Sequence, residues 1–138
     1  MTLNWFQIFR LGLVQMCLGA IVVLTTSTLN RLMAVELSLP AVLPGALVAL
    51  HYGIQISRPA WGFRSDTQGN RTRFIVLGMA VLGAGALLAS YAITVIDAAF
   101  WTGLLLSILA YSLIGLGVGA SGTSLLALVA GVYFRRPL

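Results

Sequence analysis

Few side chains in this sequence can do chemistry. There are three acids, Glu36, Asp66 and Asp97, one histidine, His51, and one cysteine, Cys17, and all eight cations are arginine. The acids fall at the edges of apolar runs, and His51 has neither a carboxylate nor a thiol near it in sequence. Hydrolysis, redox chemistry and metal catalysis each need a cluster of such groups, so no enzyme and no metal site is expected. A carrier of protons or cations keeps an ionisable group at membrane depth, because only function offsets what it costs there. The apolar runs contain no acid, lysine or arginine. Cys17 stands alone in the first of them, so no intrachain disulfide can form and its expected role is packing.

The elements that must position these residues are apolar. Of 138 residues, 59% are hydrophobic and 8% charged, with mean hydropathy +1.01, whereas an average soluble domain is about a quarter charged. Four stretches are long enough for a hydrocarbon core that needs about twenty helical residues, at about 11–29, 39–57, 74–96 and 100–134. The first follows a single arginine and has no small-residue cleavage site, so it is expected to be an uncleaved helix. The last exceeds one span, which implies tilt or an interfacial start at Phe100 and Trp101. The fold class expected is an all-α membrane protein with about four transmembrane helices in a single domain, residues 1–138.

Charge orients the spans. Arg10, Arg58, Arg64, Arg71, Arg73, Arg135 and Arg136 lie in the first segment, a central loop at 58–73 and the tail, while Arg31 alone lies in a link that also holds Glu36. The positive-inside rule puts the loop and both termini in the cytoplasm. The net charge of +5 is therefore a matter of lipid and topology, and no nucleic-acid partner is expected. Glycines concentrate at 78, 83 and 85 and at 115, 117, 119 and 122. Spacings such as Gly115 to Gly119 or Gly117 to Ser121 let membrane helices approach closely. Pro44 is expected to kink the second helix by removing a backbone bond.

The loop Gly62-Phe-Arg-Ser-Asp66-Thr-Gln-Gly69-Asn-Arg71-Thr-Arg73 resembles the signature G-x-x-x-D-x-x-G-x-R-x-R between helices two and three of the major facilitator superfamily. Gly62 and Gly69 suit a tight turn, Asp66 can accept hydrogen bonds at a helix end, and Arg71 and Arg73 suit an inner-face anchor. Gly115-Leu-Gly117-Val-Gly119 is similar to a second signature, R-x-x-x-G-x-G, but Tyr111 stands where the arginine is expected. That departure speaks against proton-driven antiport.

The segments Arg10 to Gln15, Leu24 to Leu37, Leu43 to Tyr52, Ser57 to Gly62 and Gly115 to Leu126 resemble the PucC-type branch of that superfamily. This is a bacteriochlorophyll delivery and light-harvesting assembly family whose nearest subgroup is often labelled a bacteriochlorophyll synthase chain. The resemblance covers about the first third of a twelve-helix member, which implies a fragment or a short form working with a partner. It implies a non-enzymatic assembly or delivery factor in the bacterial inner, intracytoplasmic photosynthetic membrane, with antenna or reaction-centre subunits, or the missing carboxy-terminal portion, as partners. Bacteriochlorophyll or chlorophyll would be the cofactor. His51 is then the candidate magnesium ligand, against the plainer reading that it bonds a neighbouring helix. Asn30, Arg31 and Glu36 are a candidate polar latch at the outer face. Two other readings stay open: a facilitator-type transporter of a small amphipathic solute, and a structural subunit of a photosynthetic complex.

Overall fold

The computed structural model describes residues 4–133, and every regular element among them is helical. Helix α1 spans Trp5–Val23, where the Asn4 backbone N–H donates to Gln7 Oε1 at 3.1 Å and covers the first turn. It continues as two π-helical stretches, Leu24–Leu29 and Leu32–Glu36. Next come α2 (Val42–Ile54), a 3-10 turn (Gln55–Ser57), α3 (Arg58–Gln68), α4 (Arg71–Ala98) and α5 (Phe100–Tyr133).

Three helical stretches are long and apolar enough to cross a membrane: Trp5–Glu36, Arg71–Ala98 and Phe100–Gly131. The segment expected as another span, 39–57, contributes only the 13-residue α2, about 20 Å at 1.5 Å per residue. The 3-10 turn and α3 extend it into a nearly continuous rod as far as Gln68. The expected loop at 58–73 is therefore mostly helix. Pro59 fits the first turn of α3, where its missing N–H costs nothing, and Gly69 ends the helix in the left-handed region at φ +65°. Pro44 introduces no kink either, because it sits in the first turn of α2. Cys17 is exposed on α1 rather than packed. Of the tail, Phe134, Arg135 and Arg136 lie outside the described residues.

α5 is the hub and touches α1, α2, α3 and α4. A Cβ at Gly78 would lie 2.6 Å from Ser121 N, one at Gly117 2.6 Å from Leu82 N, and one at Gly85 3.0 Å from Ala110 O. These pairings run α4 antiparallel to α5, with only Ala99 between the two helices. Gly103 makes that tight corner feasible, since its missing Cβ would fall 2.5 Å from Ile96 Cα. The rod of α2 and α3 runs parallel to α5, with His51 against Gly115 and Gly62 against Thr123. Tyr111 meets Thr25, and Leu18 faces Gly122, so α1 is antiparallel to α5. The start of α1, the α3–α4 turn and the end of α5 thus share one end of the bundle. The core between these elements contains Leu18, Leu29, Met33, Leu47, Leu82, Tyr111, Ile114 and Val118.

Candidate functional site

The α3–α4 turn gathers most of the polar signature. Arg71, at the first position of α4, donates from Nη2 and Nε to Asp66 Oδ1 at 2.7 and 3.1 Å. Its Nη1 donates to the Ala127 carbonyl of α5 at 3.0 Å. One guanidinium therefore ties the end of α3 to the end of α5 across the turn that Gly69 permits. Gly62 lets α3 lie against α5, since a Cβ there would stand 3.3 Å from Thr123 Cγ2. Below it the buried Ser65 hydroxyl donates to Gly62 O at 2.9 Å. Arg73 does not join the cluster. It is exposed and lines a shallow recess with Asn70, Thr72, Val76 and Leu77.

His51 lies on the buried stripe of α2 with Pro44 and Leu47, spaced three and four residues apart so that all face inward. Its side chain is fully enclosed. One turn on, Gln55 accepts from Arg58 Nη2 with Oε1 and presents its NH2 to His51 Nε2 at 2.8 Å. That assigns the imidazole proton to Nδ1, which has no partner among the described residues. A parallel ladder runs beside it, from Trp61 Nε1 to Ser57 Oγ at 3.0 Å and on to Ile54 O at 2.7 Å. Arg64 lies over the Trp61 ring, 5.7 Å from its centroid.

A metal ligand must turn a lone pair toward open space. The Nε2 lone pair of His51 receives the Gln55 amide, Nδ1 carries the proton, and the side chain is fully enclosed. So placed, His51 offers no free lone pair to the magnesium of a tetrapyrrole, and its partner Gln55 lies one turn on along the same rod, not on a neighbouring helix. Nor is the outer-face latch formed, because no hydrogen bond or ion pair joins Asn30, Arg31 and Glu36 among the described residues. The ion pair among the described residues is Asp66 with Arg71, at the opposite end of the bundle. No group of three His, Cys, Asp or Glu side chains converges among the described residues.

The candidate packing glycines divide between two partners. Gly115 and Gly119 face the α2–α3 rod, with the Cβ position of Gly115 2.8 Å from His51 O and that of Gly119 3.4 Å from Trp61 Cδ1, while Gly117 faces α4. An open apolar cleft of about 370 Å³ lies where Ile8, Leu11, Gly12 and Gln15 of α1 oppose Leu125 and Val129 of α5. Two features escaped the sequence reading. One is the bond from Tyr111 OH to Thr25 O at 3.2 Å. The other is the π-helical geometry that follows α1 at Leu24–Leu29 and Leu32–Glu36, hinted at only by the hydroxyl run Thr25-Thr26-Ser27-Thr28.

Known proteins resemble this chain closely. A "Bacteriochlorophyll synthase 44.5 kDa chain" from Rhodobacter capsulatus is 74% identical over 130 residues, covering 94% of this chain and 30% of that protein. A "Protein PucC" from Cereibacter sphaeroides is 33% identical over 142 residues, covering 94% of this chain and 31% of its own length. A "Protein PucC" from Rhodovulum sulfidophilum is 31% identical with the same coverage. The chain thus spans about 30% of the length of the curated relatives it matches. No solved structure matches it. The family model described as PUCC protein matches residues 28–136, and with most of its length so matched, this chain belongs to the PUCC protein family.

Proposed function

We propose that the chain is part of a non-enzymatic membrane protein that delivers bacteriochlorophyll to light-harvesting or reaction-centre complexes, or assists their assembly, in a phototrophic bacterium. The observation that carries this reading is the 74% identity, across 94% of the chain, to a protein whose name ties it to bacteriochlorophyll, together with the PUCC match. His51 has no part in the proposal. Contact with pigment falls instead to the apolar outer faces of the bundle.

In this reading the α2–α3 rod is a further membrane crossing, giving four, and the arginines mark the cytoplasmic side. The Asp66–Arg71 turn supports a facilitator-like arrangement and favours, as the second reading, a carrier for a small amphipathic solute. Copurification separates the two. The tagged chain, extracted gently from phototrophic membranes, should bring down antenna or reaction-centre subunits or a tetrapyrrole. Recovery of none of these, with solute uptake that depends on Asp66, would replace the first reading by the second.

A further inference from the structure

The outer half of the first helix departs from α geometry for most of the residues from 24 to 36, in two successive π-helical stretches, Leu24–Leu29 and Leu32–Glu36. Such turns are rare, appear mostly singly, and concentrate at functional sites, because each leaves the backbone ladder short of regular bonds. In an apolar medium every backbone carbonyl must still find a donor. Here side chains supply them where the widening begins. The Thr25 hydroxyl donates to Ile21 O and Val22 O, and the Thr26 hydroxyl to Val22 O at 2.7 Å. The Thr25 carbonyl itself receives the Tyr111 hydroxyl from α5 at 3.2 Å. Tyr111 is fully enclosed and Thr25 nearly so. From this point Thr25, Leu29 and Met33 face the core at four-residue intervals; the stretch ends at Glu36, and two residues on Ser38 is a non-glycine residue at φ +51°.

We propose that residues 24–36 form a hinge in the first helix and that Tyr111 is the pin that holds it in its widened state. Rewinding to α geometry rotates every residue beyond Thr25 and moves the Thr25 carbonyl away from the phenol, so the widened and tightened forms differ by the Tyr111 bond. The hydroxyls of Thr25 and Thr26 lower the barrier by standing in for backbone donors while the ladder shifts. The device is independent of the pigment-delivery reading, since it rests only on backbone geometry and one hydrogen bond between helices.

Tyr111→Phe removes the hydroxyl and keeps the ring that fills the core. In the intact chain reconstituted in lipid nanodiscs, amide hydrogen exchange across residues 24–36 should rise by about three- to twentyfold, the range for one interhelical hydrogen bond in a membrane, while residues 71–98 stay unchanged. Unchanged exchange at 24–36, or an equal rise at 71–98, overturns the proposal. Thr26→Val, which takes away one stand-in donor without touching the core ring, is the second variant. It should slow interconversion and narrow the spread of exchange rates within 24–36; a uniform change across the chain would again refute the hinge.

Discussion

Arg71 donates to Asp66 Oδ1 across the Gly69 turn at 2.7 Å, and the same guanidinium reaches the Ala127 carbonyl at 3.0 Å. The two bonds are unequal in worth. The Arg71 and Asp66 side chains are 31% and 55% exposed, so their attraction is screened and contributes under about 1 kcal/mol. The bond to Ala127 O, more than a turn inside the end of α5, is charge-assisted and joins two helices. Asp66→Asn should therefore cost less than about 1 kcal/mol, and Arg71→Ala about 1–2 kcal/mol. Unfolding in mixed micelles orders the two variants; equal losses would mean that the ion pair alone matters.

Glycine spacing gives a sharper contrast. A Cβ on Gly117 would stand 2.6 Å from Leu82 N, a backbone atom, whereas nothing lies within 4 Å of a Cβ on Gly83. Gly117→Ala must push α4 and α5 apart and should cost about 1–3 kcal/mol. Gly83→Ala should be neutral or stabilise by a few tenths of a kcal/mol, as alanine does in an open helical position. Thermal melts of both variants in the same detergent test the pair.

The third prediction concerns His51. His51→Leu removes the buried Nδ1 donor that has no partner, which relieves a desolvation cost, but it also takes the acceptor from the half-buried Gln55 amide, and the two effects oppose each other. His51→Leu should then change stability by less than about 1 kcal/mol and leave the pigment content of purified photosynthetic complexes unaltered. A selective loss of bound tetrapyrrole with the chain still inserted would restore His51 as a ligand.

Why the sequence exposed some of this and hid the rest is clearest at the glycines. Their clustering on the third and fourth apolar stretches pointed to close packing, but not to whom. Gly115 and Gly117 stand two residues apart, about 200° around the helix, so they serve different neighbours. Helix α3 was hidden because the residues from Arg58 to Gln68 are mostly polar and interrupted by Pro59 and Gly62, a composition that suits a loop equally well until α5 supplies a surface for Gly62 to approach. The polar trio Asn30, Arg31 and Glu36 misled in the opposite direction. Complementary charges five residues apart invite pairing, yet on the π-helical stretch both ends stay exposed. His51 misled by its chemistry: an imidazole in an apolar run suggests a ligand, and only the Gln55–Arg58 ladder reveals that its lone pair is taken.

The last prediction tests the sidedness on which the proposed function depends. Arg10, Arg64, Arg71 and Arg73 lie in or beside the segments that share one end of the bundle, Arg58 stands about 15 Å further along the α2–α3 rod, and the 30–41 connection lies at the other end. If the positive-inside rule governs this chain, the α3–α4 turn is cytoplasmic and Ser38 is not. Both Thr67 and Ser38 are exposed, as is the native Cys17, so a Cys17→Ser background carrying either Thr67→Cys or Ser38→Cys leaves the packing intact. In whole cells with the outer membrane permeabilised, an impermeant maleimide should label Ser38→Cys at once and Thr67→Cys only after the inner membrane is opened. The reverse pattern would put the Asp66–Arg71 cluster outside. Labelling of both sites in intact cells would mean that the α2–α3 rod does not cross, because an uncrossed rod leaves its two ends on one side.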